Sequence, residues 1–230
     1  MFRPANQKPS LDTPHLSAPQ HFINRELSLL EFNERVLAQA WDISVPLLER
    51  LRFLCISSSN LDEFFEIRVA GIRELIERHA SQRGPDGIGS EEQLAAIHSR
   101  ATRLVADQYR CLEEALLPAM RAAGIRIAAR SEWRGETHAM LAARFEREVE
   151  PVLSPLALDP ARPFPKIQNK SLNFIVRIEG QDAFGREANL AIVQAPRSLP
   201  RVLPIDDGQP GQCFVLLSAL AATSFNRAAK

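Results

Sequence analysis

The sequence predicts an α+β protein, with a helical region first and a region carrying a small antiparallel sheet after it. Two observations predict this. Apolar residues recur at spacings of three and four from Leu29 to Leu117, the period of helices with one buried face. Later, in "SLNFIVRI", Leu172, Phe174, Val176 and Ile178 alternate with Asn173, Ile175 and Arg177, the period of a strand with one apolar face.

The elements follow in order. The first twenty residues carry four prolines and no apolar run, so residues 1–20 are predicted to be a disordered tail, neither a signal peptide nor a membrane span. Helix one is expected from Ser28 as N-cap, with Glu31 at the capping-box position, to about Trp41. Pro46 suits the first turn of a second helix reaching about Ser57, and a third runs from Leu61 to about Gln82. The loop "RGPDGIGS" stops it. From Glu91 to Ala123 a long amphipathic pattern predicts one helix or two end to end, kinked or restarted at Pro118. A further helix is expected around "THAMLAARFEREVEPVL". Five prolines between Pro151 and Pro165 then argue against regular structure. "SLNFIVRI" and "NLAIVQ" predict a hairpin, with shorter strands at "RVLPI" and "CFVLLS". The expected domains are 21–118, helical, and 119–230, α+β.

Composition narrows the function classes. The chain has 230 residues, with 28 Lys plus Arg balanced by 28 Asp plus Glu. It therefore has no global field to attract nucleic acid or an anionic membrane, and any anion site must be local. Cys55, Cys111 and Cys213 form no CxxC and no even set, which fits a reducing, cytoplasmic setting rather than a disulfide framework or a zinc site. The signatures of phosphate loops, dinucleotide folds, zinc peptidases and serine hydrolases are absent. The five histidines, His15, His21, His79, His98 and His138, offer no ligand pair at i and i+4. No self-contained active site is legible, so no catalytic residue is assigned.

Two residues stand out. Asn60, in "FLCISSSNLDEFFEIRVAGI", reads as an N-cap with Glu63 three residues on. Caps are far commoner than ligand sites, but the residue also reads as a ligand contact, because an amide can donate and accept at once, as an adenine edge requires. Arg68 falls at about 340° on a helical wheel started at Leu61, inside the stripe of Phe64, Phe65, Ile72, Leu75 and Ile76. A guanidinium there calls for an ion pair, with Glu26 a candidate, or a stem that snorkels to water. The alternative is a phosphate or subunit contact. His79, on the same stripe, is expected to be a C-terminal charge partner. "DPARPFPKIQNK" places Asp159, Arg162, Lys166 and Lys170 in an irregular segment that reads as a solvated loop packed through Phe164, or as a set of groups that approach phosphates.

Taken together, "FINRELSLLEFNERVL", "PLLERLRFLCISSSNLDEFFEIRVAGI" and "PVLSPLALDPARPFPKIQNKSLNFIV" resemble the N-terminal part of the long bacterial polyphosphate kinases, over roughly residues 21 to 205. The resemblance implies an N-terminal helical domain and a partial "head" domain. It implies that the asparagine of "SNLDEFF", Asn60, contacts the adenine of ATP, and that the phosphorylated histidine and its magnesium contacts belong to C-terminal domains not found in this chain. The implied reaction is reversible transfer of the terminal phosphate of ATP to polyphosphate through a phosphohistidine. ATP, polyphosphate and a second copy of the chain are the implied partners, with Mg2+ required by the longer enzyme. After "FVLL" the chain departs from the family pattern. A non-catalytic helical interaction module, which nucleotide binding discriminates from the kinase reading, and a truncated, nonfunctional product, which predicts poor solubility, are the alternatives.

Overall fold

The computed structural model describes residues 17–79, 83–158, 163–177 and 190–228, with side chains as far as Phe225. The chain divides into two compact units, residues 1–119 and 120–230. Most of the expected tail lies outside the described residues, which begin with a short 3-10 turn at Pro19–His21.

The first unit is helical. Helix α1 (Arg25–Trp41) starts four residues before the expected cap: Asn24, not Ser28, is the N-cap, and its side chain accepts from the Leu27 amide at 3.0 Å. Helix α2 (Leu47–Glu63) follows Pro46 and does not end near Ser57. It runs on through a π-helical turn, Phe64–Val69, into α3 (Ala70–Glu77). After the glycine-rich loop, α4 (Ser90–Arg110) continues through a second π turn, Cys111–Leu116, into α5 (Leu117–Ala122). That second turn lies just before Pro118, which has no N–H to return to the preceding turn.

Why the chain stays helical across "SSSN" is answered by burial. The inward stripes are Leu30, Asn33, Leu37 and Ala40 on α1, Arg50, Leu54, Ser57 and Leu61 on α2, and Ile97, Ala101, Leu104 and Gln108 on α4. Each stripe contains a polar residue, and three of these meet. Asn33 donates to the Ser57 carbonyl at 2.9 Å, Gln108 donates to the Ser57 hydroxyl at 2.9 Å, and Asn60 donates to the Asn33 Oδ1 at 3.3 Å. Serine and asparagine favour helix ends because their side chains compete for local backbone, but here those side chains are committed to other helices. Arg50 donates Nε to the Ala40 carbonyl at 2.9 Å, satisfying an open acceptor at the end of α1. On the outer side Arg100 bridges α4 to α1 through Glu31 and Glu34, each at 2.8 Å.

The second unit holds two three-stranded sheets. One joins β1 (Ile125–Ile127), β6 (Gln212–Leu216) and β5 (Val202–Ile205), with β1 parallel and β5 antiparallel to β6. The other places β4 (Leu190–Gln194) between β2 (Ser154–Ala157) and β3 (Asn173–Arg177), all antiparallel. The predicted hairpin is β3 with β4, although Ile178 lies outside the described residues. Strand β2 corrects the expectation that proline density excludes regular structure. Pro155 sits on an edge strand, where a missing N–H costs the ladder little. Helix α6 (Gly135–Arg144), extended by a π turn at Phe145–Val149, and α7 (Leu217–Ala228) cover a core of Trp133, Leu141, Phe145, Val193, Leu203, Val215 and Leu220. Helix α7 and strand β1 were not anticipated. Gly211 has φ +98°, and any Cβ on it would collide with the Gly124 carbonyl, which accepts from Gln212 N at 2.8 Å. Beside that contact, Arg126 and Asp207 pair at 2.8 Å.

Two outcomes follow. Replacing Ser57 with Ala leaves the buried Gln108 amide short of an acceptor, so urea unfolding should show a loss of about 1–3 kcal/mol, and adding Gln108→Leu should recover part of it. The Arg126 guanidinium holds the Asp207 carboxyl down at about 2, against an ordinary 3.8. This pair's stabilisation is present above the ordinary value and is lost as pH falls through about 2. Melting temperature measured from pH 5 down to 2 should therefore fall less steeply in Asp207→Asn than in the wild type.

Candidate functional site

Between α1 and the end of α2 lies an open pocket of about 320 Å³, lined by Leu29, Leu30, Phe32 and Asn33 from one side and Asn60, Glu63, Phe64, Ile67 and Arg68 from the other. Both residues singled out in the sequence are on its wall. Its shape comes from the helix pair. Leu30, Asn33 and Phe64 are buried and form the floor, while Leu29, Phe32 and Ile67 are partly exposed and form the sides.

Asn60 is not an N-cap. It lies inside α2, three residues before that helix passes into the π turn, and its backbone carbonyl accepts from the Phe64 amide. No helix terminus opens here, so the free backbone N–H groups that a cap would present are absent from the site. What remains is the side chain, which is half-buried. One Nδ2 hydrogen goes to Asn33 Oδ1, itself fixed by the Asn33 bond to Ser57. The second hydrogen and the Oδ1 of Asn60 have no partner among the described residues. A donor and an acceptor therefore face the pocket side by side, oriented from behind by a buried amide.

Arg68 departs further from expectation. It is exposed and makes neither a hydrogen bond nor an ion pair among the described residues. Glu26, the candidate partner, accepts from Gln93 at 2.7 Å instead. The π turn is the physical reason. The inward residues run Leu61, Phe64, Val69, Ile72, so the step across the turn is five, and the Ala70 amide reaches back to the Phe65 carbonyl. A regular helix would place Arg68 in the core. The extra residue puts Val69 there, at 5% exposure, and turns Arg68 outward to the pocket rim. His79 follows α3 with φ +52° and joins no ion pair among the described residues.

The arrangement is suited to a flat, largely apolar ring with a polar edge: phenylalanine and aliphatic side chains for its faces, an amide for its edge, and an uncompensated guanidinium for an anion attached to it. Asn33 is the contributor that the sequence did not single out. Its signal was present, since it sits between Leu30 and Leu37 on the buried stripe of α1. No group of three or more His, Cys, Asp or Glu that could hold a metal gathers among the described residues. No helix of the described chain is long and apolar enough to cross a membrane. Asp159 and Arg162 lie outside the described residues, while Lys166 and Lys170 belong to the second unit.

Comparison with known proteins bears on this site. Residues 22–128 match the model of the polyphosphate kinase N-terminal domain and residues 136–227 that of the polyphosphate kinase middle domain. The chain is 52% identical over 211 residues to a polyphosphate kinase of Xylella fastidiosa (strain 9a5c), covering 88% of this chain and 29% of that protein. It is 51% identical over 206 residues to a polyphosphate kinase of Burkholderia cenocepacia (strain HI2424), covering 89% and 30%. The fold superimposes on the crystal structure of polyphosphate kinase from Porphyromonas gingivalis with a TM-score of 0.75 and 27% identity, over 90% of this chain and 30% of that one. The chain thus spans about 30% of the length of the curated relatives it matches.

The register shift at the π turn makes a direct prediction. Arg68→Ala should leave stability within about 0.5 kcal/mol, as for an exposed residue, whereas Val69→Ala should cost about 2 kcal/mol through the cavity it leaves. Thermal or urea unfolding of the two variants checks it, and a larger loss for Arg68→Ala would restore the regular-helix register.

Proposed function

Since the chain belongs to the polyphosphate kinase family, we propose that its first unit holds the adenine end of ATP in the pocket between α1 and α2, as the nucleotide-contacting portion of an enzyme that transfers the terminal phosphate of ATP to polyphosphate. The observation that carries this is the Asn60 side chain: a half-buried amide with a free acceptor and a free donor, held by Asn33 and flanked by Phe32 and Phe64. Adenine presents a donor and an acceptor side by side on one edge and an apolar face on each side, and this wall complements both. Arg68, at the rim and unpaired, is placed to meet a phosphate carried by the bound nucleoside.

The transfer step itself is assigned elsewhere. Phosphoryl transfer needs fixed cations around the migrating group and, in the proposed route, a histidine to carry it. Of the described histidines, His21, His79 and His98 are exposed and His138 is half-buried, and none lines the Asn60 pocket. The reading is therefore of a chain that binds and positions, and that shows no polyphosphate synthesis by itself. The phosphohistidine, the bound magnesium and assembly into a homo-oligomer in the cytoplasm belong, in this reading, to the longer family protein.

Substitution at Asn60 tests the proposal. Asn60→Asp keeps an acceptor but loses the donor and adds a negative charge, so ATP affinity should fall about tenfold or more, and Asn60→Ala should fall similarly. Because the bond to Asn33 is lost in Asn60→Ala, stability should also drop by about 1 kcal/mol. Calorimetric titration with ATP and with inorganic triphosphate separates base from phosphate recognition. Unchanged ATP affinity in both variants, with stability reduced, would leave Asn60 as a strut between two helices.

A further inference from the structure

The balanced composition conceals a one-sided surface in the second unit. Described residues 163–177 and 190–205 contain Lys166, Lys170, Arg177, Arg197 and Arg201, and not one Asp or Glu. Elsewhere in the same unit Arg121 is paired with Glu132, Arg126 with Asp207, and Arg144 and Arg147 both with Glu148, while Arg130 and Arg134 make no ion pair among the described residues. Lys166, Arg197 and Arg201 make no such pair among the described residues.

The fold gathers these cations rather than scattering them. Arg197 donates Nη2 to the Asn169 carbonyl at 3.2 Å, which fixes its head beside Lys170. Lys166 is three residues further along the same segment, no more than about 11 Å of extended chain. The Ala195 amide reaches the Leu172 carbonyl at 2.9 Å, locking the end of β4 to the start of β3, and Arg201 donates Nη2 to the Ala195 carbonyl at 3.3 Å. The other terminal nitrogen of Arg201, Nη1, is buried and has no hydrogen-bond partner among the described residues. Carbonyl oxygens position these guanidinium groups but leave their charge uncompensated. A partly desolvated cation behind exposed ones also raises the potential of the surface above it.

We propose that the strip carrying Lys166, Arg197 and Arg201 is a docking surface for a linear inorganic polyphosphate. Lys166 and Arg197 are exposed and Arg201 is half-buried, which suits an extended anion with a charge on every unit. Nucleic acid fits less well, because bases need a run of aromatic platforms. Phe164 is exposed there, but Phe174 is turned into the core against Phe225 at 5.4 Å. Naming the anion as polyphosphate rests on the function proposed above. The surface is distinct from the Asn60 pocket, since every residue of it belongs to the second unit.

The test uses the whole 230-residue chain and a linear polyphosphate of defined length, with affinity measured by calorimetry at several salt concentrations. The wild type should bind, and its affinity should fall as salt rises. Lys166→Gln/Arg197→Gln alters two exposed side chains and should leave the melting temperature unchanged. It should weaken binding about fivefold or more and flatten the salt dependence. Arg121→Gln/Arg147→Gln removes the same net charge from paired positions and should retain affinity within about twofold. Asn60→Ala should not alter polyphosphate binding, so loss of the nucleotide reading and loss of this one are separately visible. Three outcomes overturn the proposal: no polyphosphate binding by the folded wild type, equal loss in both double variants, or a single-stranded oligonucleotide binding as tightly and responding to the same substitutions.

Discussion

The first unit depends on one requirement: the polar atoms buried around Ser57 must all be satisfied at once. Ser57 is fully buried, so its carbonyl and hydroxyl cannot turn to water. Asn33 of α1 serves one and Gln108 of α4 serves the other. Apolar packing alone tolerates sliding and rotation of helices by fractions of a turn, but hydrogen bonds from two helices to one residue of a third do not. The junction therefore sets the depth at which α1 and α4 cross α2. Asn60, one turn further on, inherits its position from the same set of bonds, and so the pocket wall is as fixed as the core behind it.

The second constraint is one extra residue. With Leu61, Phe64 and Ile72 inward, a regular helix would bury a guanidinium among aliphatic side chains, at a cost of several kcal/mol unless it were paired. The π turn removes the conflict by geometry instead of by a partner: it moves Val69 into the core and Arg68 to the rim. Such turns give up some backbone regularity and are frequent at functional sites. Here the local cost yields an uncompensated cation beside an amide, on a helix that continues undisturbed on both sides.

What was legible in the sequence was whatever short-range periodicity controls. The helices of the first unit, the β3–β4 hairpin and the strands β5 and β6 each announce themselves in their own residues. What was not legible depended on distant partners. "SSSN" reads as a helix break because the competing local hydrogen bonds are visible in sequence, whereas Asn33 and Gln108, lying 24 and 51 residues from Ser57, are not. Arg68 was misplaced because a helical wheel assumes a constant 100° per residue. Strand β2 was missed because proline density outweighs pairing in any local reading, and β1 because three residues are too few to show a period. The pocket combined both kinds. Asn60 and Arg68 were identifiable as unusual residues, but the reason they share a wall was available only from the register of the folded helix.

The two units divide their charges differently, and the division follows from what each surface can bind. In the first, Arg100 is tied into Glu31 and Glu34 on the outer side of α1 and α4, and the pocket between α1 and α2 offers an amide on its wall and the Arg68 guanidinium at its rim. An amide discriminates by direction while a full charge attracts any anion, so the amide suits the edge of a neutral ring and the guanidinium an anion attached to it. In the second unit, Arg197 and Arg201 on the segment between β4 and β5 are anchored to carbonyl oxygens and left without a carboxylate partner. A carbonyl holds a guanidinium in place without cancelling its charge, whereas a carboxylate would hold it and cancel it. A net charge of zero is thus the sum of a first unit with 13 Lys and Arg against 17 Asp and Glu and a second with 15 against 11, and the total alone cannot distinguish that sum from a uniformly neutral protein.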